Sequence, residues 1–225
     1  MAGQRTWKNK PACLFSIRWK WPYLQKISDS TGLSKVDMYQ TMFKEAFPAE
    51  AKPLTFSNLQ LAIAAFERTL LTPSKFDDYL KGNTNALTVQ EMRGLKTFLE
   101  AGCTTCHMGD QLGGNIFQKF GVYGNYWDHT KSTPVDEGRF KVTKNEADKY
   151  MFNVPSLRNV SETYPYFHDG SVQTLDEAVK IIAKLNLNLD LTDEQVTDLA
   201  AFLKTLTGDI PAEAKQEPAE LSTAS

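Results

Sequence analysis

Cys103-Thr104-Thr105-Cys106-His107 is the stretch of this sequence best suited to chemistry. Two thiols separated by two residues, with an imidazole directly after the second, form the attachment pattern of a c-type haem. That spacing lets one turn of backbone present both sulfurs to the two vinyl groups of a single porphyrin. The adjacent imidazole then turns toward the iron as its proximal ligand. A zinc site would need further Cys or His at ligand spacing, and the chain offers only Cys13, His129 and His168 besides. A redox CxxC should follow a strand and open a helix of a βαβ unit, and no such alternation surrounds this one. A structural disulfide is the plainest alternative. With three cysteines in 225 residues, the full five-residue pattern favours haem, one covalent haem c per chain.

The elements that must position the motif read as helices. Thr88-Val89-Gln90-Glu91 is a capping box, opening a helix expected to bury Leu95, Phe98 and Leu99 and to end at Gly102, directly before Cys103. Upstream, Ser34 to Phe47 carries apolar side chains at helical spacing, closed by Pro48. Thr55 is placed to cap a helix running to Leu71, with Leu59, Ile63, Phe66 and Leu70 on one face. Ser74 to Gly82 reads as a short helix. Two further capping signals, Thr174 to Glu177 and Thr192 to Gln195, open the last helices. The first should point Leu175, Ala178, Val179, Ile182 and Leu185 inward. The second should bury Val196, Leu199, Phe202, Leu203 and Leu206, with Gly208 as its stop.

Between Gly109 and Ser161 the chain is rich in Gly, Asn, Asp and aromatic residues. A loop-rich stretch of that length inside a compact domain is either functional or wrapped around something, and a flat apolar cofactor suits it. There is no internal repeat and no alternating strand pattern. The fold class is all-α, a cytochrome c-like domain around one haem.

Composition bounds the rest. The formal net charge is −2, which argues against a polyanion-binding role, and no apolar run approaches membrane-spanning length. Charge is unevenly placed, however. From Met1 to Ile27 there is no Asp or Glu, while six Lys and Arg and the tryptophans Trp7, Trp19 and Trp21 fall there. The short apolar stretch near Ala12 is interrupted by Arg18, so no export signal is legible and the segment reads as a basic tail. Haem is attached to CxxCH outside the bacterial cytoplasm, so a periplasmic location is expected and the N-terminus reads as incomplete. The expected organisation is an unmatched basic segment over 1–40, a haem domain over 41–210 and a flexible tail over 211–225.

From about Phe43 to Asp209 the chain resembles the C-terminal, electron-accepting haem domain of bacterial di-haem cytochrome c peroxidases. The likeness rests on Ala62-Ile63-Ala64-Ala65-Phe66-Glu67-Arg68-Thr69-Leu70, Gly102 through His107 and Lys144 through Lys149. It continues in Val154-Pro155-Ser156-Leu157-Arg158-Asn159, Tyr164 through Gly170 and Ala201 through Gly208. The resemblance implies that Cys103 and Cys106 anchor the haem and that His107 is its proximal ligand. It implies hydrogen peroxide as family substrate and a small cytochrome c or cupredoxin as electron donor, and it leaves room for a homodimer. Thr163 and Pro165 match positions whose backbone carbonyls bind calcium in the family. Two departures stand out. There is one CxxCH where the family has two. The family's distal methionine position is occupied by Ile182, which cannot ligate iron.

The remaining candidates follow from residue chemistry. Arg158 has the guanidinium fork that pairs bidentately with carboxylates, so it is a candidate for a haem propionate or, equally, for a protein carboxylate. Met108 is too close to His107 to reach across a haem plane, and Met151 reads as a core residue. His168 reads as a structural or propionate-bonding side chain, His129 as a surface residue and Cys13 as a free thiol. Two functions compete: the electron-accepting part of a peroxidase, and a mono-haem carrier that only shuttles electrons. A third outcome is five-coordinate iron, left open by Ile182 for peroxide.

Overall fold

The computed structural model describes residues 32–216. The basic segment with Trp7, Trp19, Trp21 and Cys13 lies outside them, as do residues 217–225. The chain divides into two compact units, one of Thr72–Asp209 and one that takes in the residues up to Leu71 and from Ile210. The expected haem domain began at 41; the unit that contains the CxxCH motif begins at Thr72.

In the other unit, α1 (Asp37–Ala46) buries Phe43, which stacks on Phe47 with ring centroids 6.0 Å apart. Helix α2 (Phe56–Glu67) starts where the sequence places it, with the Thr55 hydroxyl accepting from the Asn58 backbone N–H. It ends a turn earlier than expected, and its apolar face is not inward. Ile63 is 40% exposed, Phe66 53% and Leu70 38%, whereas the buried residue is Asn58. The Asn58 amide donates to Glu50 Oε2 and to the Pro53 carbonyl of the preceding loop, each at 2.8 Å.

In the Thr72–Asp209 unit, α3 (Lys75–Leu80) leads by an exposed tip to α4 (Val89–Glu100). The chain then passes through the CxxCH motif into irregular structure. That stretch carries strand β1 (Phe117–Lys119), the short helices α5 (Tyr126–Thr130) and α6 (Phe140–Thr143), and strand β2 (Met151–Asn153). Two long helices follow, α7 (Leu175–Leu187) and α8 (Asp193–Lys204). The all-α class holds. The one addition is an antiparallel ribbon pairing Phe117 with Asn153, Gln118 with Phe152 and Lys119 with Met151. Strands of three residues are too short to write an alternation into the sequence.

The first core is built where α4 crosses α8. Phe98 and Phe76 both meet the fully buried Phe202 at 5.3 Å between centroids, and Leu199, Leu203 and Leu206 fill around them. The approach is close enough that a Cβ on Gly94 would lie 1.9 Å from the Asp198 carbonyl oxygen. Arg93 closes the crossing, its Nε donating to Asp198 Oδ2 at 2.7 Å and its Nη2 to Oδ1 at 2.9 Å. Leu99, expected inside, is 54% exposed. It sits one turn before Cys103 on the face that leads into the motif, not on the face toward α8.

The second core is aromatic. Tyr126 has no exposed surface and packs against Phe120, Val172, Ile181 and Leu185. Its hydroxyl donates to the Asp136 carbonyl at 2.9 Å and accepts from the Asp136 N–H at 2.8 Å. Gln195 and Glu91 complete reciprocal capping boxes with Thr192 and Thr88. Gly208 is not the helix stop. Thr205 caps α8, and Gly208 instead packs its backbone against the Thr72 and Pro73 carbonyls.

Gly94→Ala should force α4 and α8 apart, because the added methyl meets backbone and has no side chain to displace. The expected loss is about 1–3 kcal/mol, the usual range for overpacking a core. Urea unfolding of the wild type and the variant checks it; equal midpoints would contradict the close approach.

Candidate functional site

Helix α4 ends at Glu100 with Ala101 as its cap, and Gly102 takes a left-handed conformation with φ of 82°. The backbone therefore leaves the helix abruptly and tightens into a 3₁₀ turn over Cys103–Thr105. Within that turn the Cys103 carbonyl accepts from the Cys106 N–H at 3.3 Å and from the His107 N–H at 3.0 Å. One turn of backbone thus carries both sulfurs and the imidazole, as the spacing requires.

The two thiols are free and differ in surroundings. Cys103 packs against the first core, and burial pushes its thiol up to about 11. A redox-active CxxC needs the opposite, a thiol whose pKa is pulled down to make a nucleophilic thiolate. Cys106 Sγ accepts from Gln118 Nε2 at 3.8 Å. Among the described residues no group of three or more His, Cys, Asp and Glu is arranged to hold a metal ion, so the zinc alternative lacks ligands.

His107 carries the decisive contact. Its Nδ1 lies 3.0 Å from the Leu112 carbonyl oxygen. A carbonyl can only accept, so the nitrogen that faces Leu112 bears a proton. Burial pushes the pKa of His107 below its ordinary value, although hydrogen bonds to the Leu112 and Pro155 carbonyls work against that. A metal-ligating imidazole commonly donates one ring N–H to a backbone carbonyl, as this one does to Leu112. The donor set therefore fits a covalently attached haem: two unpaired thiols and one prepared imidazole on a single turn.

Behind the imidazole, residues 108–114 are stitched to residues 154–158. Leu157 N–H and Ser156 Oγ donate to the Gln111 carbonyl at 3.3 and 2.7 Å, and Gly114 N–H donates to the Val154 carbonyl at 2.7 Å. A Cβ on Gly113 would lie 2.0 Å from the Pro155 carbonyl oxygen, so only glycine permits this approach. Arg158 completes the stitching. Its Nη1 and Nη2 donate to the two Asp77 carboxylate oxygens at 2.7 Å each, and Nη1 also donates to Ser74 Oγ at 3.1 Å. Its Nε and Nη2 donate to the Asp110 carbonyl at 3.0 and 2.9 Å. All five N–H groups of the guanidinium are thereby taken by protein acceptors. Of the two partners open to Arg158, a haem propionate and a protein carboxylate, the structure supplies the second.

The other candidates are placed as follows. Opposed residues of an antiparallel ribbon share a face, so Phe152 stands with Gln118 on the Cys106 side, and Met151 stands with Lys119 on the other. His168 lies on the side of Phe152, its ring stacked at 4.3 Å and 28°, with Tyr126 edge-on at 5.3 Å. Burial pushes the pKa of His168 down, while Asp169 and Asp136 pull it up. Ile182 is half-buried and packs against the second core. Thr163 and Pro165 lie in an exposed segment after the 3₁₀ turn Val160–Glu162, with Pro165 following a cis peptide bond. His129 is exposed, as expected. Sequence reasoning missed Asp77, Leu112, Ser156 and Gln118. Only Asp77 left a signal, as the third residue after Ser74 in a capping arrangement.

Two family models match the chain: Cytochrome c over residues 91–207 and Di-haem cytochrome c peroxidase over residues 25–85. The chain belongs to the di-haem cytochrome c peroxidase family. It is 44% identical over 180 residues to the cytochrome c551 peroxidase of Nitrosomonas europaea, covering 80% of this chain and 52% of that protein. It is 43% identical over 180 residues to the cytochrome c551 peroxidase of Pseudomonas aeruginosa, with the same coverage. Among solved structures, a MauG-like protein associated with microbial copper homeostasis superposes with a TM-score of 0.66 at 30% identity, covering 83% of this chain and 63% of that one. The chain spans about half the length of these curated peroxidases. The Cytochrome c match encloses the CxxCH motif. The peroxidase match reaches back to residue 25, so part of the segment expected to fall outside the family lies within it.

The Arg158 guanidinium and its hydrogen bonds hold the Asp77 carboxyl at about 2, well below its ordinary 3.8, against the opposing push of burial. A depressed carboxyl pKa adds stability that is full above the unfolded value and is lost as pH falls through the folded value. The wild type should therefore exceed Asp77→Asn in stability at pH 6, with the gap shrinking between about pH 4 and pH 2. Urea midpoints across that range check this; a gap that persists undiminished at pH 2 would count against it.

Proposed function

We propose that this chain holds one haem c through thioethers from Cys103 and Cys106, with His107 as proximal ligand, and accepts electrons for peroxide reduction. The observation that carries the reading is the His107 Nδ1 contact with the Leu112 carbonyl, which orients the imidazole beside two unpaired thiols. A bound haem supplies an iron that takes up and returns one electron. The chain's own residues do the rest. Cys103 and Cys106 fix the macrocycle's edge, and His107 presents its oriented imidazole. The apolar first core behind Cys103 keeps the site dry, which favours low net charge at the iron.

In this reading the electrons come from a small cytochrome c or a cupredoxin, and the setting is the periplasm. Among the described residues no helix is long and apolar enough to cross a membrane. Calcium would meet the Thr163 and Pro165 carbonyls, with other oxygens, water included, completing its shell. The chain's single CxxCH favours a second reading for the polypeptide by itself, a mono-haem carrier without peroxidase activity of its own. Peroxide turnover separates the two: a carrier is reduced and reoxidised by protein partners but does not consume peroxide.

Expression with export and haem-maturation machinery should give a band on a denaturing gel that stains for haem, weakened or abolished by Cys106→Ala. A folded but colourless wild type would remove the haem reading. Ile182 stands where the resemblance places the family's distal methionine, and an isoleucine offers no thioether, so a bound ferric haem would be at least partly high-spin and lack the sulfur-to-iron absorption band. Ile182→Met should convert it to low-spin and raise its potential, since a thioether favours the reduced iron. A complete methionine–iron band in the unaltered protein would show that the ligand lies elsewhere.

A further inference from the structure

We propose that Arg158 is a positioning residue for His107, acting through the backbone of Asp110, Gln111 and Leu112. The proposal rests on the haem reading and adds to it a named control over the proximal ligand. Three consecutive carbonyls carry the argument. The Asp110 carbonyl accepts twice from Arg158, at 3.0 and 2.9 Å. The Gln111 carbonyl accepts from Ser156 Oγ at 2.7 Å and from the Leu157 N–H at 3.3 Å. The Leu112 carbonyl accepts from His107 Nδ1 at 3.0 Å. The first two are clamped, and the third is aimed.

The aim is held against a local cost. Leu112 has φ of 49°, a left-handed conformation that a branched side chain adopts only when its surroundings over-determine it. Its N–H donates to the Gly109 carbonyl at 2.9 Å, the next N–H, of Gly113, donates to the Met108 carbonyl at 3.1 Å, and its side chain packs on the first core. These contacts fix the turn upon itself. Arg158, Ser156 and the Leu157 N–H tie it to the segment 154–158, and Arg158 is in turn oriented by Asp77, which sits on α3 and receives the Ser74 N–H at 2.7 Å. Ser156 is part of the same device, since its Oγ also accepts from the Arg158 N–H at 3.1 Å.

The consequence is electronic. A strong Nδ1–H donation to a carbonyl raises the basicity of the ligating nitrogen, and groups behind a metal ligand tune the metal through that bond. A more basic imidazole favours ferric over ferrous iron. Releasing the clamp lets the Leu112 carbonyl drift, weakens the donation and raises the midpoint potential.

The test uses the haem-loaded chain. Arg158→Gln should raise the midpoint potential in a redox titration. It should also lower the iron–histidine stretching frequency in the Raman spectrum of the ferrous, high-spin fraction. Ser156→Ala, a milder change that keeps the ion pair, should shift both in the same direction by less. Arg158→Lys, which keeps the charge but loses the fork, should fall between wild type and Arg158→Gln. Arg93→Gln removes the other bidentate pair of the same unit, the one that joins α4 to α8, and should leave potential and frequency in place despite lower stability. Should Arg158→Gln fail to fold, Ser156→Ala decides. Attached haem with an unmoved potential and frequency in these variants overturns the proposal, as does an equal shift in Arg93→Gln. Failure of the wild type to take up haem overturns the functional reading itself, which the covalent haem content reports separately.

Discussion

The unit around the CxxCH motif depends on two irregular segments being hydrogen-bonded to each other, residues 108–114 and residues 154–158. Neither has a regular element of its own, so some of its backbone groups find no partner within the segment. They are satisfied across the gap, by Gly114 to Val154, Leu157 to Gln111, Ser156 to Gln111 and Arg158 to Asp110. Gly113 has no side chain because the Pro155 carbonyl occupies the space where one would be. An irregular segment held this way is as well fixed as a helix end. That is what allows a loop carbonyl, at Leu112, to orient an imidazole.

The two cores divide the work around this seam. The first is helical and crowded, with α4 and α8 in contact at Gly94 and Cys103 packed against its edge. It gives the motif a rigid base and pushes the Cys103 thiol pKa up by burial. The second is built from aromatic rings on short elements, among them Phe120, Tyr126, Phe152, Phe167 and His168. Rings stacked and edge-on fill an irregular space that aliphatic helices would leave open, and the Tyr126 hydroxyl finds its partner at Asp136. Val160 and Leu175 pack against both cores, so the seam and the two cores form a continuous apolar body.

Much of this was legible in the sequence, because it is written locally. The capping residues Thr55, Thr88, Thr174 and Thr192 mark helix starts that the structure reproduces, and Gly102 marks the end before Cys103. The attachment motif is local too. What was not legible is what depends on partners far along the chain. Leu99 keeps helical spacing with Phe98's neighbours, but which face of α4 meets α8 is decided by Gly94 and Asp198, 104 residues apart by their numbers. Arg158 was recognisable as a fork in search of a carboxylate, yet its carboxylate is Asp77, and nothing near either residue points to the other. Apolar periodicity likewise shows that α2 has an apolar face, but not that its buried residue is Asn58.

The same logic separates what the CxxCH spacing can specify from what it cannot. Spacing places two sulfurs and an imidazole on one turn, and the 3₁₀ geometry of Cys103–Thr105 follows from it directly. Spacing does not choose the orientation of the imidazole. That choice is made five residues on, by a carbonyl whose direction depends on a strained leucine, a glycine that cannot be replaced and an arginine whose donors are all taken. Two chains with the same five-residue motif can therefore hold the same cofactor with different proximal basicity. In this one the difference would reside in the turn Asp110–Leu112 and its clamp, outside the motif by which the site is recognised.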